Sequence, residues 1–235
     1  MRTRRSFLHG GVLAALSCAV TAPPGDDRHG LRARPGAVTT TPLTPGRIST
    51  IVGATLVDAY LPATRRPGPV PCFLFLHGAR RNVPAYVQAL QPALDETGVL
   101  MVAPHANGNT WDLLLDGYGQ DVVGIDGVLR WLFARVEVDP RRMCLAGFSD
   151  GATYTLALGR ANGDLFPRLA AFSPGGLLQT PVTGKPAVHV VHGTNDEVLP
   201  FAVSRDVIVP TLRSDGYPVT FESFSGGHGL PVELA

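Results

Sequence analysis

Residues 145–153 read LAGFSDGAT. Gly147, Ser149 and Gly151 fit the pattern G-x-S-x-G, in which a serine stands on a tight strand-to-helix turn and glycines let the backbone close around it. In a chain of 235 residues with 27 glycines, the string alone says little. Its flanks give it meaning. RMCLAGF (142–148) has the apolar run of a short buried strand, and DGATYTLALGRA (150–161) places Ala152, Leu156 and Gly159 at helical spacing. Strand, turn and helix follow in the order that exposes a nucleophile.

Working outward, strand-like and helix-like segments alternate. STIVGATLVDAYLP (49–62) predicts a hairpin or one long strand. VPCFLFLHG (70–78), VLMVAP (99–104), RLAAFSPG (168–175), AVHVVHG (187–193) and PVTFESFSG (218–226) predict further strands. Helical periodicity covers 83–98, with Pro92 a point of kinking or splitting. It also covers 121–136, and 202–216 with a bend at Pro210. This alternation predicts an α/β fold: a mostly parallel central sheet with helices on both faces.

An open sheet of this kind collects its functional groups at the carboxyl ends of its strands. Those ends carry HGAR (77–80), SDG (149–151), HGTNDEV (192–198) and SGGHG (225–229). Nucleophile, acid and histidine therefore occur in the order Ser…Asp…His, the chain order of α/β-hydrolases. A serine hydroxyl needs a neutral imidazole to take its proton, and that imidazole needs a carboxylate to fix its tautomer.

Seven histidines compete for the role of base. His9 and His29 precede the folded region. His77 and His192 end strands in the wrong order, His105 lies before the serine, and His189 lies inside a strand. His228 follows the last strand in a glycine-rich loop, as the base should. The acid is Asp196 or Glu197, with Asp196 preferred at three residues beyond its strand. Asp164, Asp206 and Asp215 read as solvated charges. The backbone N–H of Asp150, with that of Ala79 after FLHG, would form the oxyanion hole. The Asp150 carboxylate suits the first turn of a helix. Trp111 and Tyr118 either wall a substrate pocket or plug the junction between helix and sheet.

The motifs LHGA, TWD, GFSDGA, NGDLF, AFSPGG, HGTNDEVLP and GGH together resemble the phospholipase/carboxylesterase family of small serine hydrolases. Related polyester-depolymerase and feruloyl-esterase families share that core. The resemblance spans residues 48–230. It implies the α/β-hydrolase fold, Ser149 as nucleophile, Asp196 as acid, His228 as base, and Ala79 with Asp150 as oxyanion donors. The chain departs from many members in carrying Asp150 where they carry glutamine. The expected activity is hydrolysis of a small-molecule carboxylic ester without cofactor or metal. A peptidase or amidase on the same scaffold is one alternative. A catalytically silent binding protein of the cell envelope is the other.

Composition narrows the classes further. Net charge is +1 and 17% of residues are charged, with the two signs interspersed, so no nucleic-acid partner is expected. No apolar run reaches transmembrane length. The start, TRRSFLHGGVLAALSCAVTA (3–22), resembles a twin-arginine export signal over residues 1–22, with Arg4 and Arg5 as the pair. Cys18 closes a partial lipoprotein-type site, which admits a lipid anchor. Residues 23–45, rich in Pro, Gly and Thr, are expected as a disordered linker, and 46–235 as the catalytic domain. Cys72 and Cys144 are read as two buried thiols, or as a pair able to oxidise if their strands are neighbours.

Overall fold

The computed structural model describes residues 29–79, 82–115 and 117–231. The expected export signal, with Arg4, Arg5 and Cys18, lies outside the described residues. Eight strands form one sheet in the order β1-β2-β4-β3-β5-β6-β7-β8. The first two, β1 (Gly46–Val52) and β2 (Thr55–Leu61), are the antiparallel hairpin anticipated from the alternation. Gly53 turns it with φ 61°, a conformation that glycine adopts without steric cost. Strand β2 also runs antiparallel to β4 (Leu100–Pro104). The remaining pairs are parallel: β3 (Val70–Leu76), β5 (Val138–Phe148), β6 (Arg168–Phe172), β7 (Ala187–Gly193) and β8 (Val219–Phe224).

Central strands that are covered on both faces read as apolar runs rather than alternating patterns. Every residue of β4 is buried, which accounts for LMVAP. Two cores lie on opposite faces of the sheet. Helices α2 (Gln120–Phe133) and α3 (Asp150–Ala161) build the larger one with Ile125, Leu129, Tyr154 and Leu156. Helix α1 (Val83–Thr97) builds the smaller one with Val83, Val87, Leu90 and Leu94. That spacing of apolar residues is the helical face legible in the sequence.

Two prolines behave differently from each other. Helix α1 runs through Pro92 as one element and ends at Gly98, whose φ of 71° supplies a left-handed cap. Pro210 sits in the first turn of α4 (Val209–Ser214), directly after a π-helical segment, Val203–Ile208. Pro210 has no N–H to give, and the wide turn before it relieves the helix of that bond.

The expected disordered linker is corrected from residue 29 onward. Residues 29–45 form an ordered strap, with Leu31 and Ala33 buried in the larger core. Asn162, after α3, accepts from the Leu31 N–H at 2.8 Å and donates to the His29 carbonyl at 2.9 Å. Asp126 of α2 accepts from the N–H groups of Arg32 and Ala33 at 2.6 and 2.7 Å. Proline and glycine make this stretch look like linker, but two buried polar side chains satisfy its backbone.

The cysteine pair also resolves. Strands β3 and β5 are neighbours, yet Cys72 pairs with Met143, while Cys144 pairs with Phe73. Side chains alternate along a strand, so Cys72 and Cys144 point to opposite faces and belong to different cores. Both are free thiols.

Candidate active site

Ser149 stands between β5 and α3 with φ 57° and ψ −121°, a conformation that L-residues seldom adopt. Its N–H donates to the Phe172 carbonyl at 2.9 Å, which pins the turn to β6. The flanking glycines are steric necessities. A Cβ at Gly147 would lie 2.3 Å from the Gly151 carbonyl oxygen, and one at Gly151 would lie 2.0 Å from that of Leu76. The G-x-S-x-G string is therefore the trace of a turn too tight for side chains on either flank.

The structure brings Ser149, His228 and Asp196 into one hydrogen-bonded line. Nε2 of His228 is 2.9 Å from the Ser149 Oγ, and Nδ1 is 2.7 Å from Oδ2 of Asp196. The carboxylate fixes the tautomer: Nδ1–H donates to Asp196, and Nε2 faces the serine hydroxyl as acceptor. The other oxygen of Asp196 accepts from the N–H groups of Val198 and Leu199 at 2.9 and 2.8 Å. Burial opposes ionisation of this carboxyl. The hydrogen bonds from His228, Leu199 and Val198 outweigh it and hold the group below the usual carboxylate range. Glu197, the other candidate acid, is exposed.

The loop carrying His228 is fastened to the loop carrying Asp196. Thr194 N–H donates to Phe224 O and Asn195 N–H to Gly226 O, each at 2.9 Å. A Cβ at Gly193 would lie 2.4 Å from the Gly227 carbonyl oxygen, so the two loops run in direct contact. The His228 ring rests on Phe148, with centroids 4.8 Å apart.

The expected oxyanion donors flank the serine. Asp150 is the first residue of α3, where a backbone N–H has no acceptor within its own helix. Ala79 follows Gly78, at which a Cβ would lie 3.0 Å from that of Ser149, so this loop passes directly beside the serine. His77, which sequence order set aside, shapes that loop. It is fully buried, its Nε2 accepts from the Ala106 N–H at 3.0 Å, and its Nδ1 donates to the Gly78 carbonyl at 2.7 Å.

Trp111 and Tyr118 fall elsewhere. Trp111 has no exposed surface. Its Nε1–H donates to the His77 carbonyl at 2.8 Å, and its ring stacks on Tyr154. It plugs the junction between helix and sheet, the second of its two expected roles, and walls no open pocket. Tyr118 is half-buried, with its hydroxyl 2.9 Å from that of Thr180. Burial pushes that phenol up to about 12. Among the described residues, no group of three His, Cys, Asp or Glu side chains is arranged to hold a metal ion.

Solved structures superpose on this arrangement of strands and helices. Esterase PE8 is 23% identical over 72% of this chain and 89% of its own, with a TM-score of 0.59. The S-formylglutathione hydrolase FrmB from Staphylococcus aureus is 14% identical over 78% of this chain and 92% of its own, with a TM-score of 0.62. Thermogutta terrifontis esterase 2, solved phosphorylated by paraoxon, is 18% identical over 80% and 86%, with a TM-score of 0.60. The chain has the α/β-hydrolase fold. No protein-family model matches the sequence, and no curated protein matches it. Within the α/β-hydrolase sheet, Ser149, Asp196 and His228 follow β5, β7 and β8 in that order.

Sequence reasoning left several side chains of this neighbourhood unread. Thr110 donates to Oδ2 of Asp150 at 2.6 Å. Asp112 and Asp121 cap each other: Asp112 N–H meets Asp121 Oδ2 at 2.8 Å, and Asp121 N–H meets Asp112 Oδ2 at 2.9 Å. His192 lies against Asp196. The repeated His-Gly at the ends of two strands was the available signal for the two buried histidines.

Proposed function

We propose that this chain hydrolyses carboxylic esters through an acyl-enzyme on Ser149. The line of hydrogen bonds from Ser149 through His228 to Asp196, at a backbone turn with φ 57°, carries this reading. His228 Nε2 takes the hydroxyl proton as Ser149 Oγ attacks the ester carbonyl. Asp196 holds the ring in that tautomer and stabilises the imidazolium. The N–H groups of Ala79 and Asp150 receive the oxyanion, a contribution worth roughly 10²–10³ in rate per donor. His228 then returns the proton to the departing alkoxide, and water activated by the same nitrogen releases the acid.

An ester substrate suits a site built on a serine hydroxyl, an imidazole and a carboxylate, a chemistry that requires no metal or cofactor. The esterase names of the structural neighbours point the same way. We further propose that residues 1–22 direct export by the twin-arginine route. Replacing Arg4 and Arg5 by lysine then blocks export, and normal export of that variant removes the twin-arginine reading.

Covalent labelling tests the reaction. The parent protein is expected to react with a fluorophosphonate probe and Ser149→Ala is not. Matched p-nitrophenyl ester and anilide substrates then separate esterase from amidase. Equal labelling of Ser149→Ala would place the nucleophile elsewhere.

A further inference from the structure

The proposed reaction leaves one buried imidazole beside its acid without a role. His192, next to last in β7, has no exposed surface. Its Nε2 lies 2.9 Å from the Leu199 carbonyl oxygen and 3.2 Å from Oδ2 of Asp196. Both neighbours are acceptors, so this nitrogen carries a proton. On the far side of the ring, Nδ1 is 2.7 Å from the Ser204 hydroxyl, which is also fully buried. Ser204 belongs to the π-helical segment Val203–Ile208, a wide turn of the sort that re-aims a side chain. Phe201 closes the pocket with its ring edge-on to the imidazole at 5.9 Å.

We propose that His192 is a positioning residue for Asp196, acting through the 196–199 turn. The proposal rests on the reading of Ser149, His228 and Asp196 as the reacting set. The acid sits on a turn rather than on a strand, and its aim is set by the turn's own N–H groups of Val198 and Leu199. Those bonds are local, and the ties to the neighbouring loop are made before the acid, at Thr194 and Asn195. His192 holds the far side of the turn. Its N–H fixes the Leu199 carbonyl, and its other nitrogen fixes the ring to the helical segment beyond. The same N–H edge adds positive potential 3.2 Å from the oxygen that faces His228. The carboxylate is thus tied to two elements, β7 through the ring and the helix through Ser204, and not only to its own loop.

A histidine that merely filled space would be replaced by any side chain of similar volume. The two roles separate with His192→Leu, which fills the site without a donor, and His192→Gln, whose Nε2 can stand in for the imidazole Nε2–H. Each variant is purified as the full chain. Four quantities are measured: kcat and KM on a soluble p-nitrophenyl ester, melting temperature, fluorophosphonate labelling rate, and the far-downfield proton resonance of the His228–Asp196 hydrogen bond. His192→Leu is expected to lower kcat by roughly ten- to a hundredfold through misplacement of the acid. KM should stay within about twofold, since substrate contacts are untouched. The downfield resonance should shift or broaden. His192→Gln should recover most of kcat and the resonance.

Parental kcat with an unmoved resonance in His192→Leu would overturn the proposal, as would a loss that His192→Gln does not recover. If His192→Leu fails to fold, Ser204→Ala is measured the same way, because it frees Nδ1 while keeping the ring. A smaller fall in kcat at constant KM supports the proposal, and an unchanged kcat overturns it. A parent protein that neither labels nor cleaves esters would instead overturn the proposed function. The resonance would then still report whether His192 positions Asp196.

Discussion

The hydroxyl of Thr110 donates to Oδ2 of Asp150 across 2.6 Å, tying the loop after β4 to the residue that follows Ser149. The carboxylate is held by this loop while its backbone N–H remains at the head of α3. Removing the hydroxyl in Thr110→Val leaves a half-buried carboxylate without this donor. A hydrogen bond to a charged group contributes about 1.5–3 kcal/mol when buried, and partial exposure brings the expected loss to about 1 kcal/mol. Urea unfolding should show that loss. Ester hydrolysis should fall several-fold in kcat/KM, and Thr110→Ser should restore both. Parental values in Thr110→Val would mean that this contact positions nothing.

Ser149 holds φ 57° in a conformation disfavoured for residues with a Cβ. Such strain costs on the order of 1–3 kcal/mol at functional sites. Glycine would relieve it, whereas alanine would retain it. Ser149→Gly is therefore expected to be inactive and yet more stable than Ser149→Ala by about 1 kcal/mol, because the strain term is removed while the hydroxyl is lost in both. Denaturant midpoints at equal slope decide it. If Ser149→Gly is the less stable of the two, the turn stores no strain.

The pH dependence follows from Asp196. Hydrogen bonds lower its carboxyl below the ordinary range despite burial. A group with a depressed folded value contributes stability above its unfolded value, about 3.9, and loses it as pH falls through the folded value. The parent should thus be more stable than Asp196→Asn at pH 7, and the gap should narrow below about pH 4 as the native carboxyl protonates. A gap that stays constant down to pH 2 would show that the ionised form is not what the fold favours. Asp196→Asn should also lose on the order of 10⁴ in kcat, because His228 no longer has a fixed tautomer.

The strap offers a test away from the site. Asn162 bonds to Leu31 N–H, His29 O and Leu158 O, so its removal orphans two strap groups at once. Asn162→Ala should destabilise the fold by roughly 2 kcal/mol, since buried groups left unsatisfied cost about 1–3 kcal/mol. In the shortened chain that starts at residue 46, the same substitution should cost much less. An equal cost in both chains would mean that Asn162 stabilises α3 alone.

Much of this was legible in the sequence, for identifiable reasons. Strands β3, β4 and β7 show as apolar runs because both of their faces are covered, and the Ser149 turn shows because its glycines are sterically forced. The strap did not show. Its order depends on Asn162 and Asp126, which are far away in the chain, whereas its own composition is that of a linker. Trp111 was undecidable for a similar reason. A loop tryptophan is buried or exposed according to what lies above it, and here His77 and Tyr154 enclose it. The contact of His192 with Asp196 was hidden because chain order points to a candidate base and says nothing about what lies against an acid.

The size of the substrate is the last consequence of these loops. In this fold a lid is often built between the strand after the elbow helix and the next strand. Here β6 ends at Phe172 and β7 begins at Ala187, and the segment between them contains no helix. It is also fastened down. Arg160 donates to the Leu178 carbonyl at 3.2 Å, Thr180 meets the Tyr118 hydroxyl at 2.9 Å, and Thr183 N–H donates to the Arg160 carbonyl at 2.8 Å. The loop after β4 is the other cover to consider. Its Trp111 is locked under His77, and Asp112 and Asp121 cap each other, so opening it would break buried hydrogen bonds. Neither loop is built to swing away at a lipid surface. Soluble esters of short or medium acyl chains should therefore be hydrolysed, and long-chain triacylglycerols should be poor substrates. Rate against concentration should saturate smoothly across the micelle-forming threshold. A sharp rise in rate at that threshold would show that one of these fastened loops opens at an interface after all.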